Sequence, residues 1–310
     1  YEHLGTLVDL DIIHAGELRV VHDAMYGAGR RTISEMLMRT RTDVHNLRDE
    51  MNPGFGGIHP EPISKHLSLL ASVMQNGNRH AGLATDGDAD RIGAMDARGQ
   101  FVDPHRIFGL ILRYLLQKRG SRGRVVRTVS TTRMIDRIAA EYGMEVVETP
   151  VGFNHIADLM IDNNVVMGGE ESGGMSIHGH IPEGDGVLMG LLLLEVMAEA
   201  HQPLHVLVEE LLQAYGPAQY ARTDLKLVRP VAKAELAHKL VETAPDAVSG
   251  VPVEEVRTSD GIKYYLADGS WLLIRPSGTE PVLRVYAEAP SDERVKALLH
   301  FGEAIAAAEK

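Results

Sequence analysis

Leu83-Ala84-Thr85-Asp86-Gly87-Asp88-Ala89-Asp90-Arg91-Ile92-Gly93 is the stretch whose reading decides the fold. An apolar run enters it, three carboxylates stand at alternate positions, and an arginine and a second apolar run leave it. The flanks predict strands over 81–85 and 91–95. The turn between them is tight, and Gly87 is expected to free the backbone to wrap a small ion. Three carboxylates so close together repel one another, and a hard divalent cation bound through oxygen relieves that repulsion. Asp86, Asp88 and Asp90 are therefore the candidate metal ligands. With one divalent ion and Arg91 their charges sum to zero, which suits an anionic substrate. A solvated acidic turn is the plain alternative. The Ca²⁺ EF-hand also opens D-x-D-x-D, but its sixth position should be Gly and is Arg91, and its twelfth should be Glu and is Ala97. The phosphatase-type D-x-D-x-T/V pattern fails at Asp90. A Mg²⁺ loop carrying its own arginine is the reading that survives.

Working outward, Leu18–His22 reads as a strand, Asp23–Gly29 as a glycine-rich turn with close packing, and Ile33–Met38 as a helix, the opening of a β-α-β unit. The glycine that a dinucleotide fingerprint would need falls at Thr32. A Gly/Pro/His-rich loop over 52–62 precedes a helix from Ser64 to about Gln75. Residues 1–98 are thus one α/β domain. Residues 99–218 are a second: helix from Pro104 to Gln117, strand at Arg124–Ser130, helix at Thr132–Tyr142, strands at Glu145–Glu148 and Val165–Met167, and a long apolar helix at Gly186–Glu199. Alternating strands and helices predict a doubly wound, parallel sheet. Residues 219–310 change character. Strands at 225–228, 253–258, 263–266, 271–275 and 283–288, turns at Asp260-Gly261 and Asp268-Gly269, and helices at about 233–243 and 292–308 make a smaller α+β domain.

The chain's 310 residues suffice for two or three domains. A net charge of -12 argues against nucleic acid or a membrane surface as partner. No apolar run approaches the ~20 residues that span a bilayer, and no signal peptide opens the chain, so cytoplasm is the default. The absence of cysteine excludes disulfides, thiolate metal sites and cysteine nucleophiles. Tyr1 opens the chain without a methionine, as expected of a piece of a longer protein.

Three further loops carry chemistry. Gly168–Gly174 sets two glutamates and a serine among glycines after a strand, a backbone open to close approach with charged acceptors for hydroxyl groups. Thr149-Pro150-Val151-Gly152-Phe153-Asn154-His155 is a strand-to-helix loop of the same domain, at the strand ends where parallel sheets bind ligands. Arg275-Pro276-Ser277-Gly278-Thr279-Glu280-Pro281, with Arg284, offers guanidinium forks, hydroxyls and backbone N–H groups to a phosphate. It lacks the lysine motif of nucleoside-triphosphate loops.

Together the four loops resemble, in order and spacing across nearly the whole chain, the α-D-phosphohexomutase family of phosphoglucomutases and phosphomannomutases. Asp86–Arg91 is similar to its metal loop DGDxDR, Gly169–Gly173 to its sugar loop GExSG, Thr149–Phe153 to its TPVGF segment, and Arg275–Pro281 to its phosphate loop RxSGTEP. The resemblance implies that Asp86, Asp88 and Asp90 hold Mg²⁺ and that Arg91 faces the transferring phosphate. It implies substrate contacts at Thr149, Gly152, Glu170 and Ser172. Arg275, Ser277, Gly278, Thr279 and Arg284 would hold the non-reacting phosphate. The implied reaction interconverts hexose 1-phosphate and hexose 6-phosphate through a phosphoserine and a hexose 1,6-bisphosphate. Gly174, standing where other members have histidine, points to glucose phosphates.

Two departures bear on activity. No Ser-His-Asn-Pro type phosphoserine loop is present, so the chain resembles the family's second to fourth domains and is expected to be inactive alone. Lysines common in the family are replaced by Asn154 and Gly184, and His155 is the candidate proton carrier in their place. A non-catalytic sugar-phosphate-binding protein derived from the family is the alternative.

Overall fold

The computed structural model describes residues 1–161, 164–227, 240–242, 244–277 and 281–307. It divides into two compact units, one of 1–148 and 152–215, the other of 149–151 and 216–310.

The first unit holds two sheets. One has the order β2-β1-β3-β4-β5, built of β1 (Arg19–Asp23), β2 (Asp43–Leu47), β3 (Ala81–Thr85), β4 (Ile92–Asp96) and β5 (Phe101–Val102). The other has the order β7-β6-β8-β9, built of β6 (Arg124–Thr128), β7 (Val146–Thr149), β8 (Val165–Gly169) and β9 (Met175–Ile177). β1 pairs in parallel with β2 and β3, and β6 with β8, as alternation of strand and helix predicts. The sheets are not parallel throughout. β3–β4 and β8–β9 are antiparallel hairpins. Their loops, 86–91 and 170–174, are far shorter than the dozen or so residues a parallel crossover needs. Both chemistry-bearing loops thus sit at hairpin tips rather than in crossovers.

Helices α1 (Leu4–Leu7), α2 (Leu10–Gly16), α3 (Thr32–Leu37), α4 (Ser68–Asn76), α5 (Pro104–Gln117), α6 (Met134–Glu141), α7 (Phe153–Ile161), α8 (Gly186–Ala200) and α9 (Leu204–Tyr215) complete this unit. Pro104 sits at the start of α5, and the Asp103 carboxylate accepts from the Arg106 N–H at 3.1 Å, a capped start legible in the sequence. α8 is apolar on all sides because it is buried on all sides: α2, α3 and α5 pack against it, and one hydrophobic core runs from Leu4 to Tyr215 around it. Its single fully buried carboxylate, Glu195, is satisfied by Arg119 Nη2 at 2.5 and 2.6 Å, the Tyr114 hydroxyl at 2.6 Å and the Asp9 N–H at 2.9 Å. Glu195 therefore ties the segment joining α1 and α2 to the core.

The second unit is an antiparallel sheet of order β10-β15-β14-β13-β12-β11, from β10 (Gln219–Lys226), β11 (Ala247–Val248), β12 (Val251–Arg257), β13 (Ile262–Leu266), β14 (Trp271–Pro276) and β15 (Val282–Ala289). α10 (Asp292–Ala307) packs on β10, β14 and β15 over its own core. The predicted turns at 260–261 and 268–269 join β12 to β13 and β13 to β14. The expected helix at 233–243 falls largely outside the described residues. No single described helix is long and apolar enough to cross a membrane.

Candidate functional site

The metal loop leaves β3 at Thr85 and re-enters β4 at Ile92, which are register partners. Asp86 is fully buried, Asp88 exposed and Asp90 half-buried. One oxygen from each lies within 4.8 Å of the others. Asp86 accepts from the Arg91 backbone N–H at 3.1 Å and from Arg91 Nε at 2.6 Å. Arg91 is thus folded onto the carboxylates, with Glu61 3.9 Å from its Nη1. Burial, then the neighbouring Asp86 and Asp88, push the Asp90 carboxyl up to about 7. Its Oδ1 is buried without a hydrogen bond, 3.4 Å from Arg91 Nε.

The backbone explanation given for Gly87 does not hold. Gly87 has no positive φ, and the left-handed residue of the loop is Ala89, at φ 65°. Glycines elsewhere do the shaping. A Cβ at Gly27 would overlap the Asp86 carbonyl, and one at Gly186 the Arg91 carbonyl. The Ala28 and Gly186 N–H groups donate to Gly87 O and Ala89 O, each at 2.9 Å. The turn at 23–29 is therefore a packing device against the metal loop. At Gly184 a Cβ would stand 2.8 Å from the Asp90 carbonyl, so this backbone leaves a lysine no room.

In the 170–174 hairpin the Glu170 N–H donates to Gly174 O at 2.9 Å. The carboxylate accepts from the Gly152 N–H at 2.8 Å and from the Ser172 hydroxyl at 3.3 Å, so three predicted sugar contacts, Gly152, Glu170 and Ser172, do converge. Glu171 turns the other way, accepting from the Ser130 hydroxyl at 2.5 Å and the Thr128 hydroxyl at 3.3 Å. This hairpin also touches the metal loop, through the Ile92 N–H on Gly173 O at 3.2 Å and a bridge between Arg91 and Gly174. His155 lies in the first turn of α7. Its imidazole makes no hydrogen bond or ion pair among the described residues, and its Cδ2 would be 3.6 Å from a Cβ on Gly152.

In the second unit, Arg275 on β14 and Arg284 on β15 are register partners. Arg275 Nε donates to Asp260 Oδ2 at 2.6 Å, and the same oxygen accepts from the Val151 N–H at 3.0 Å. Asp260 had read only as a hairpin-turn residue, and nothing in its local pattern signals that it anchors an arginine. The Ser277 N–H closes on Val282 O at 2.8 Å. Thr149 ends β7, with its hydroxyl on Pro150 O at 3.0 Å. Gly278 and Thr279 lie outside the described residues.

An acidic hairpin tip with a glutamate–serine hairpin beside it lies in the α/β layers of the first unit, and a pair of facing arginines lies on the C-terminal sheet of the second. The chain belongs to the phosphoglucomutase/phosphomannomutase family: its models for α/β/α domain II, α/β/α domain III and the C-terminal domain match residues 1–99, 103–215 and 222–302. It is 31% identical over 304 residues to a phosphoglucomutase/phosphomannomutase of Thermococcus kodakarensis, covering 97% of this chain and 63% of the relative. It is 32% identical over 264 residues to a phosphoglucosamine mutase of Methanocaldococcus jannaschii, covering 84% and 56%. A Thermus thermophilus structure assigned as a phosphomannomutase superposes with a TM-score of 0.85 at 31% identity, covering 98% of this chain and 64% of that one. The chain spans less than two thirds of the length of each. An N-acetylphosphoglucosamine mutase of Aspergillus fumigatus, solved with GlcNAc-6P and magnesium, shares the fold at TM-score 0.68 and 17% identity.

Proposed function

We propose that these residues are the metal- and sugar-phosphate-binding part of a phosphohexomutase of the phosphoglucomutase type, and that alone they bind without turning over. The carboxylate trio carries the reading. Three oxygens within 4.8 Å, one of them buried without a hydrogen bond beside Arg91, are a donor set that fits a hard, oxygen-seeking cation such as Mg²⁺.

Asp86, Asp88 and Asp90 hold that ion, which when bound neutralises charge on a phosphoryl oxygen. Arg91, released from Asp86, is the nearest protein cation for the same phosphate. Glu170 accepts sugar hydroxyls and Ser172 bonds them, and a carboxylate that takes any hydroxyl pair tolerates the sugar in either orientation. Gly152 fixes Glu170, and Thr149 lies on the same loop. Arg275, Ser277, Gly278, Thr279 and Arg284 hold the phosphate that does not react. Such chemistry is positioning and charge neutralisation more than covalent work by the binding loops. The phosphoserine that exchanges phosphate with the sugar, through a 1,6-bisphosphate, comes from outside these residues. Glucose phosphates are the proposed substrates and His155 the proposed proton carrier.

Calorimetry with glucose 1-phosphate, with and without Mg²⁺, tests the reading alongside a ³¹P NMR assay. Binding without formation of glucose 6-phosphate is expected. Conversion by the chain alone would overturn its proposed inactivity, and failure to bind glucose 1-phosphate would overturn the mutase reading. A normal rate for His155→Ala in the active full-length context removes His155 from the mechanism.

A further inference from the structure

A cavity of about 420 Å³ opens in the elbow where α8 and α9 meet at 87°. His201, in the left-handed conformation at φ 50°, ends α8, and α9 begins at Leu204. Arg19, Arg79, His80, His201, Gln202 and His205, with Asn78, supply its polar lining. Among the described residues no carboxylate lines it, in a chain that carries 43 acidic against 31 basic side chains. Two of its polar atoms, Gln202 Oε1 and His205 Nδ1, are buried without a hydrogen-bond partner. Buried polar atoms of this kind are ordinarily paired. An amide can turn its NH₂ to the place of its oxygen and an imidazole can carry its proton on either nitrogen, so both can donate.

The arginines are held by their neighbours, Arg19 by the lining residues Asn78 and His80 and Arg79 by Asp43. Arg19 Nε donates to Asn78 O at 2.7 Å and its Nη2 to Asn78 Oδ1 at 2.9 Å, and Arg79 Nη1 pairs with the exposed Asp43 at 2.6 Å. The start of α9, the positive end of a twelve-residue helix, lies at the same place. Guanidinium forks, imidazoles and a helix start are the groups that proteins turn towards phosphate. Among the described residues no Phe, Tyr or Trp lines the cavity to stack a nucleobase. The volume lies within the range of metabolite pockets.

The cavity is remote from the metal loop. Arg19 opens β1, His80 precedes β3 and Ala97 follows β4, whereas the metal loop occupies the opposite ends of β3 and β4, about 16 Å along a five-residue strand. α8 spans the same gap, about 22 Å, from Gly186, which bonds the metal loop, to His201.

We infer that the α8–α9 elbow is a binding site for a small phosphate-bearing metabolite, separate from the metal loop. Titrations of the chain with inorganic phosphate and with glycerol 3-phosphate at fixed pH, followed through the histidine imidazole NMR signals, test it. The His201 and His205 signals should shift saturably while those of His178 and His180 stay still, since His180 bonds Asp185 at the other end of α8. Tighter binding of glycerol 3-phosphate assigns the cavity to a phosphate ester, and equal binding assigns it to free phosphate. In Arg79→Gln/His205→Ala, affinity read at His201 should fall at least about tenfold, the loss expected when hydrogen bonds to a charged group are removed. Exposed His201→Ala, read at His205, gives a second test in which the fold is not at risk. Shifts that never saturate, that match the remote histidines, or that persist unchanged in both variants overturn the proposal.

Discussion

Arg275 and Arg284 face each other across β14 and β15, so two guanidinium side chains leave the same face of the sheet side by side. Like charges directly opposite in a sheet destabilise it. Asp260 pairs with Arg275 Nε at 2.6 Å, and Asp224 stands 3.9 Å from Arg284 Nε. A phosphate at this pair would add a countercharge to both arginines.

Arg284→Gln should therefore act with opposite signs on stability and on binding. Chemical denaturation should show the variant unchanged or more stable by up to about 0.5 kcal/mol. Calorimetry should show glucose 1-phosphate bound at least about tenfold more weakly. Unaltered affinity would remove Arg284 from the phosphate site.

Mg²⁺ should raise the melting temperature, because an ion bound only by the folded chain stabilises it, by about 2.7 kcal/mol at a hundredfold excess over Kd. In Asp88→Asn, at the exposed member of the trio, the increment should shrink strongly while the metal-free melting point holds or rises with the loss of one repelling charge. Thermal scans with Mg²⁺ and with a chelator check both.

Glu195→Ala should destabilise the first unit by about 3–5 kcal/mol, since it leaves the half-buried Arg119 without a countercharge and the Tyr114 hydroxyl without its acceptor. Denaturant midpoints measure the cost. The loss should also raise hydrogen exchange at the Asp9 N–H, which donates to the same carboxylate.

His22 is fully buried, with Nε2 3.3 Å from the Thr85 hydroxyl, and burial lowers it to about 4. The unfolded chain, with a histidine near 6.5, binds the proton more readily. Stability is thus complete above about pH 6.5 and falls progressively towards pH 4, by on the order of 3 kcal/mol for this group. Denaturation midpoints across that range should show the slope, and His22→Gln should flatten it. A slope unchanged in the variant would assign the acid sensitivity to other groups.

Gly186→Ala should cost about 1–3 kcal/mol, the range for forced overpacking, because its Cβ would overlap the Arg91 carbonyl. Mg²⁺ affinity should fall with it, since Gly186 also bonds Ala89 O. Intact affinity would show that the glycine serves packing alone.

Much of this protein is legible along the chain because its information is local. Alternating strands and helices, Pro104 after a capping Asp103, the turns at 260–261 and 268–269, and the runs flanking Asp86–Arg91 each depend on neighbours in sequence, and the structure places them as the pattern does. Tertiary structure decided what depends on residues far apart. Loop length makes both chemistry-bearing connections antiparallel, but only packing brings Gly27 and Gly186 against the metal loop and denies a lysine at 184 its space. Asp260 looked like a turn residue until the sheet laid it beside Arg275, and Glu195, inside a helix that reads simply as apolar, finds Arg119, Tyr114 and Asp9 only in the folded chain. A carboxylate's partner, and the space left for a side chain, are set by distance in three dimensions. The chain's own order carries no trace of either.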